Sequence, residues 1–297
     1  NVMHTKNKSR TYFCFVKQWI LILFVIPIIA EAQIDSIKSS DIQRTFNLQL
    51  PNNYNEQKSF PLIFVLHGYY HKNLGMPIYS GFDKFVNKDC IVVYPHGMME
   101  ENGINYFWNS GGGLSNNYGG IDDVKFIDNL IDTLTFDYSI DTDSIFIVGH
   151  SNGGMMSYRL AMELSHRITA MANLAGSMMF DTIVPDFPVP ILHIHGTADQ
   201  AVLINGSSDL SWPTMNINSV LKQWAKWNDC LPEPDTIVNN DSVIYVKWSD
   251  KSGENQVLGC FLINQGHDWA IISENGWIIS ENIWNFFTLK EIKGYEN

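Results

Sequence analysis

The sequence predicts an α/β fold in a single domain, with a mostly parallel central sheet flanked by helices. Three observations carry this expectation. Short unbroken apolar runs at residues 62–66, 91–94, 145–148, 191–195 and 257–263 are bounded by Gly, Pro and His, as in strands buried on both faces of a parallel sheet. Stretches of helical period lie between them, and the alternation persists through most of the chain. With 45% hydrophobic and 17% charged residues among 297, the composition is that of an ordinary globular chain and excludes collagen, coiled coil and disorder.

Taken in order, the chain opens with Lys6, Lys8, Arg10 and Lys17 ahead of an apolar run, 19–29, that ends in Ala30-Glu31-Ala32. A basic segment, a short apolar core and small residues at Ala30 and Ala32 predict a signal peptide over residues 1–32, cleaved after Ala32. The run is shorter than the roughly 18 residues of a membrane span and contains Pro27, so stable membrane insertion after cleavage is not expected. The domain is then residues 33–297, secreted or periplasmic. It carries 15 basic against 30 acidic residues. Such a body repels phosphate backbones, so nucleic acid is not an expected partner. Of its three cysteines, Cys90 opens an apolar run and is expected to pack as a small hydrophobe. Cys230 with Cys260 is the one plausible disulfide, left open because sequence does not supply their separation.

Residues 45–50 alternate polar and apolar, predicting a half-exposed antiparallel edge strand. The Gly- and Asn-rich stretch 102–120 predicts a surface loop of functional length. Val124, Ile127, Leu130, Ile131 and Leu134 form a helical stripe after Asp122-Asp123, which suit an N-cap and first turn. Ile279, Ile283, Phe286 and Phe287 give a similar stripe on a closing helix.

The sharpest chemical feature is Gly149-His150-Ser151-Asn152-Gly153, directly after one buried run and directly before a helical period. A nucleophile at a tight strand-to-helix turn needs small neighbours two residues to either side, and Gly149 and Gly153 supply them. The N–H of Asn152 then points at a developing oxyanion, and the turn after 62–66 offers the N–H of Tyr69 as second donor. In the chain order that such sites use, an acid and a base follow. Asp199, in His195-Gly-Thr-Ala-Asp199, lies just past a core strand, where catalytic groups of open α/β sheets collect. Asp181, Asp186 and Asp209 are rivals that follow no buried strand. His267, in Asn264-Gln-Gly-His-Asp-Trp269, also lies beyond a strand end. His96 is expected to be a packing residue of its loop.

His67 and His150, beside these turns, and Trp108 and Trp269, whose rings could stack on an aromatic acyl group or a sugar, are the expected substrate contacts. Core packing is the alternative for both tryptophans. His193 and His195 share a strand face, a spacing that binds metals, but no third ligand accompanies them. His67 and His71 fare no better, and no metal is expected.

Together these segments resemble the secreted esterase family that unites polyhydroxybutyrate depolymerases and feruloyl esterases, within the α/β-hydrolase superfamily. The resemblance runs over residues 41–287 and rests on Pro61-Leu-Ile-Phe-Val-Leu-His-Gly68, Val93-Tyr-Pro-His-Gly97, Trp108-Asn109, Ile121-Asp-Asp-Val124, Gly149-His-Ser-Asn-Gly-Gly-Met-Met-Ser-Tyr-Arg159, His195-Gly-Thr-Ala-Asp199 and Gly266-His-Asp-Trp269. It implies an α/β-hydrolase fold and a serine ester hydrolase with Ser151 as nucleophile, His267 as general acid and base and Asp199 as its orienter, with no cofactor. The chain departs from the family at Gly113-Leu114, where members often carry Cys-Cys, and at Ala270, where they carry Pro. The expected substrates are small or polymer-linked esters, feruloyl or acetyl esters of plant polysaccharide first. A polyhydroxyalkanoate depolymerase is the competing hydrolase, a peptidase on the same fold a weaker one, and a catalytically silent surface-binding module the non-enzymatic alternative.

Overall fold

The computed structural model describes residues 33–69, 76–87, 89–100, 103–111, 120–180, 182–208, 213–253, 256–269 and 279–289. The expected leader 1–32, His71, Asp181, Asp209, Ala270 and the 112–119 part of the long loop lie outside them. The apolar runs become strands: β1 (Gln33–Ser39), β2 (Ile42–Gln49), β3 (Phe60–Leu66), β4 (Ile91–Pro95), β5 (Met98–Met99), β6 (Tyr106–Phe107), β7 (Ile140–His150), β8 (Ala170–Leu174), β9 (Ile191–Gly196), β10 (Asp235–Asn239), β11 (Val243–Ser249) and β12 (Gln256–Leu262). The described helices are α1 (Met76–Ser80), α2 (Asp123–Asp137), α3 (Asn152–Glu163), α4 (Ile217–Trp227) and α5 (Ile279–Leu289), with a 3-10 turn at Phe82–Asn87. None is long and apolar enough to cross a membrane.

Ten strands form one sheet in the order β1-β2-β4-β3-β7-β8-β9-β12-β11-β10. From β4 to β12 every neighbour is parallel, and an antiparallel pair closes each side. The strand period of two sends Leu62, Phe64 and Leu66 to one face and Ile63 and Val65 to the other. One face packs with Phe126, Ile127 and Leu130 of α2 and with Leu160 of α3 and Trp224 of α4. The other packs with Phe82, Phe85 and, from α5, Ile283, Phe286 and Phe287. Helix α2 begins as its sequence requires, with the Asp122 carboxylate accepting the Lys125 N–H at 2.8 Å as an N-cap.

One expectation is corrected and one open pairing is decided. The strand at 45–50 is not an edge: β2 lies between β1 and β4, with Phe46, Asn47 and Leu48 buried. The outer strand β1 returns through the two-residue turn Ser40-Asp41, both residues at positive φ (48° and 63°), the geometry of a tight hairpin without its usual Asn-Gly. Cys230 and Cys260 form no disulfide. Cys260 is buried in the core on one face of the sheet, whereas Cys230 packs against the core on the other.

The chain leaves β3 for β4 on one side and reaches β7 on the other, so the sheet order reverses between β3 and β7. Crevices for ligands open at the carboxyl ends of strands at such a switch. Leu66 pairs with Gly149 there, which sets the turn after β3 beside the turn after β7.

Candidate active site

Ser151 sits between β7 and α3 at φ 53°, ψ −119°, a conformation an L-residue holds only where its surroundings enforce it. Its N–H donates to the Leu174 carbonyl at 2.8 Å. The enforcement is steric as well: a Cβ on Gly149 would collide with the Gly153 carbonyl, and one on Gly153 with the carbonyls of Leu66 and His67. A serine at the N-cap ordinarily bonds the first-turn N–H groups. Ser151 makes no such cap bond, which leaves its Oγ for another partner and the positive end of α3 open toward the crevice.

That partner is His267. Its Nε2 lies 2.8 Å from Ser151 Oγ and its Nδ1 2.8 Å from Asp199 Oδ2. Three elements widely separated in sequence, the turns after β7, β9 and β12, thus bring the three expected residues into one hydrogen-bonded line. The Asp199 carboxylate is wholly buried while His267 is 26% exposed. Asp199 Oδ1 accepts the N–H groups of Ala201 and Val202 at 2.8 and 2.9 Å. Burial alone would raise the Asp199 carboxyl, but hydrogen bonds from His195, His267 and the Val202 N–H outweigh it and hold the group well below the usual carboxylate range. A permanently ionised Asp199 requires His267 Nδ1 to carry a proton, so Nε2 faces Ser151 as the acceptor.

The four expected substrate contacts support the site instead of facing substrate. His67 and Trp108 have no accessible surface, and His150 and Trp269 are each 3% exposed. His67 Nε2 accepts the Gly97 N–H at 2.9 Å and its Nδ1 donates to the Gly68 carbonyl at 2.8 Å, bracing the turn that carries Tyr69. Trp108 Nε1 donates to the His67 carbonyl at 3.0 Å. His150 Nε2 donates to the carbonyl of His267 at 2.6 Å and so holds the loop of the base. Trp269 packs edge-on against Tyr79 and Phe82, and its N–H donates to the Tyr79 hydroxyl at 3.1 Å. Each ring fills space under the crevice, and burial of its faces removes it from stacking.

Sequence reading missed the side-chain role of Asn152. Its Oδ1 accepts the Trp108 N–H at 2.7 Å, and its Nδ2 donates to the Trp108 carbonyl and Ser110 Oγ, both at 3.1 Å. A second tie comes from Asp123, whose Oδ2 accepts the Asn109 N–H at 2.7 Å while its Oδ1 holds Arg44 at 2.7 Å. Arg159 donates to the Asn109 carbonyl at 2.7 Å. The Trp108-Asn109 segment is thereby fixed at four points: two on the Asn152 side chain at the elbow, one on Asp123 in the first turn of α2 and one on Arg159 further along α3. Tyr69 lies half-buried past β3, its hydroxyl donating to Glu100.

Comparison with known proteins places the fold and the family. The phospholipase/carboxylesterase family matches residues 54–218. A probable feruloyl esterase C of Aspergillus terreus is 26% identical over 252 residues, 82% of this chain and 84% of that protein. A bifunctional acetylxylan esterase/xylanase of Neocallimastix patriciarum is 30% identical over 149 residues, covering 48% of this chain but only 20% of that longer enzyme. Among solved structures, an acetyl xylan esterase from Aspergillus awamori superposes with a TM-score of 0.62 at 16% identity, over 86% of this chain and 100% of that one, a likeness of fold.

Proposed function

The chain belongs to the phospholipase/carboxylesterase family of α/β-hydrolases, and from that premise we propose that Ser151 is the nucleophile of a carboxylic ester hydrolase working through an acyl-enzyme. The observation that carries the proposal is the unbroken line from Ser151 Oγ through His267 to the buried Asp199. Ser151 Oγ attacks the ester carbonyl as its proton passes to His267 Nε2. The oxyanion is received by the N–H groups of Asn152 and Tyr69, each worth about 3 kcal/mol of transition-state stabilisation. Collapse expels the alcohol, which takes the proton from His267. Water, deprotonated by the same imidazole, then attacks the acyl-enzyme and frees Ser151. Asp199 stays ionised throughout, balancing the imidazolium that forms twice per cycle. These steps use protein groups and water alone.

The substrate class we infer is feruloyl or acetyl esters of plant polysaccharide, supported by the relatives named feruloyl esterase and acetylxylan esterase. With Trp108 and Trp269 buried, the apolar surface we infer for an acyl group is the partly exposed Phe180, which packs on the buried cluster of Met155, Met179 and Val202. Export through residues 1–32 belongs to the same reading and rests on the basic segment, the apolar run and Ala30-Glu31-Ala32 that precede Gln33.

The test is hydrolysis of methyl ferulate, an acetylated xylan fragment and a short hydroxybutyrate oligomer by the wild type beside Ser151→Ala. Turnover of the ferulate or acetyl ester that disappears in the variant is expected. Preference for the oligomer would replace the substrate class, and equal inactivity on every ester, nitrophenyl acetate included, would overturn the proposal.

A further inference from the structure

Behind Asp199, three buried side chains that the proposed reaction leaves unused continue its line of hydrogen bonds. His195 Nε2 lies 2.8 Å from the Val202 carbonyl and 3.3 Å from Asp199 Oδ2. On the far side of the ring, His195 Nδ1 is 3.1 Å from His193 Nε2, and His193 Nδ1 is 2.8 Å from the Tyr158 hydroxyl. The two imidazoles stack with planes 6° apart. Tyr158 and His193 have no accessible surface and His195 has almost none.

With both imidazoles neutral, these partners admit one placement of protons. A carbonyl and a carboxylate only accept, so His195 Nε2 must donate. A neutral imidazole has a single donor, so His195 Nδ1 accepts, His193 Nε2 donates and His193 Nδ1 accepts from Tyr158. Burial, with His195 beside it, pushes His193 well below its ordinary value, and burial holds the Tyr158 phenol well above its own. Both therefore stay neutral. Every proton along the chain points toward Asp199.

We propose that Tyr158, His193 and His195 form a buried hydrogen-bond chain that makes His195 a positioning residue for the hydrolase, holding Asp199 Oδ2 on the Nδ1 of His267. The proposal rests on the reading of Ser151, His267 and Asp199 as the catalytic line. The Ala201 and Val202 N–H groups fix only Oδ1; Oδ2 is bonded to His267 Nδ1 and lies 3.3 Å from His195 Nε2, whose single proton it shares with the Val202 carbonyl. Without His195, the carboxylate can turn about its remaining bonds, and His267 loses its oriented partner while the substrate surface is untouched. Tyr158, on α3 two turns past Ser151, ties the same chain back to the helix that carries the elbow.

The first test needs no variant. Ring-nitrogen NMR of the histidine-labelled wild type is expected to show His193 and His195 both as neutral Nε2–H tautomers. An Nδ1–H tautomer or a doubly protonated ring at either position would overturn the chain. The second test is kinetic: His195→Ala should lower kcat by about ten- to a hundredfold, the worth of one hydrogen bond to a charged group, with KM within about twofold. His195→Gln, which keeps a donor toward Asp199 and an acceptor toward His193, should recover most of the loss. Equal kcat in the Ala and Gln variants, or a loss confined to KM, would refute the positioning role. If the wild type hydrolyses no ester, the functional reading falls with the positioning role, whereas the tautomers still decide whether the chain exists.

Discussion

Replacing Asp123 by Ala tests whether the buried pair beneath the crevice supports the fold. Asp123 is wholly buried and Arg44 is 3% exposed, with Arg44 Nη2 2.7 Å from Asp123 Oδ1. The variant would leave Arg44 with the His96 carbonyl at 3.0 Å and the ring of Phe126, 4.0 Å from its centroid, and without the only carboxylate paired to it among the described residues. An uncompensated buried charge of this kind costs about 3–5 kcal/mol, a large share of a stability of about 5–15 kcal/mol. The Asn109 N–H loses its acceptor at the same time. In urea, with a slope of at most about 3 kcal/mol per molar, the midpoint should fall by at least about 1 M. Replacing both partners, Arg44→Met with Asp123→Leu, should restore most of the loss, because apolar groups of similar volume carry no desolvation penalty. A single variant within about 1 kcal/mol of wild type, or a double variant no better than the single, would refute the reasoning.

Gly153→Ala should lower kcat/KM by about a hundredfold, the scale of an ångström's misplacement, because the added methyl must displace α3 from the carbonyls of Leu66 and His67; ester hydrolysis under saturating and limiting substrate separates the two constants. Burial, with the charge of Asp89 next, pushes the Cys90 thiol up to about 12, so the native protein should leave it unalkylated at about pH 8, where only thiolate reacts; mass spectrometry after iodoacetamide would show its carbamidomethyl adduct only once the chain is unfolded. Asp199 is depressed in the folded state, so its contribution is fully present above its unfolded value of about 3.9 and is lost as pH falls through the lower folded value. The stability gap between wild type and Asp199→Asn should therefore be flat from about pH 7 to 5 and shrink below about pH 4. Urea titrations across that range check it, and a gap that widens in acid would contradict the sign.

The parallel core was legible because β3, β4, β7, β9 and β12 are apolar on both faces, a pattern no helix of that length reproduces. Strand β8, Ala-Met-Ala-Asn-Leu, was not, because its residues have weak strand preference and it is held in the sheet by β7 and β9 on either side. The hairpin β1-β2 escaped for want of an Asn-Gly turn, and β11, Val243–Ser249, because its neighbours are antiparallel and its pattern is only partly alternating. That Ser151, Asp199 and His267 would meet was legible from the Gly149–Gly153 turn, strand ends and chain order, and the hydrogen bonds that join them are what the structure adds. The roles of His67, Trp108, His150 and Trp269 could not, since an aromatic ring beside a motif looks the same in sequence whether its face is covered or open. His193 and His195 were visible as a pair, but only Tyr158 on one side and Asp199 on the other show which way their protons run.

The elbow and the long loop form one mechanical unit through Asn152. Its backbone lies at the start of α3, where its N–H is proposed to meet the oxyanion, while its buried side chain closes a two-way clamp on the Trp108 backbone. Trp108 in turn bonds the carbonyl of His67, whose ring fixes the turn leading to Tyr69. The two proposed oxyanion donors are therefore linked through Trp108, His67 and Gly68, none of them exposed, which gives the proposed hole a fixed width. An Asp at position 152 would keep the acceptor for the Trp108 N–H but set a carboxylate oxygen against the Trp108 carbonyl, where Nδ2 now donates. The amide is required because the clamp needs a donor and an acceptor on one side chain, and Asn is the residue that supplies both at this length.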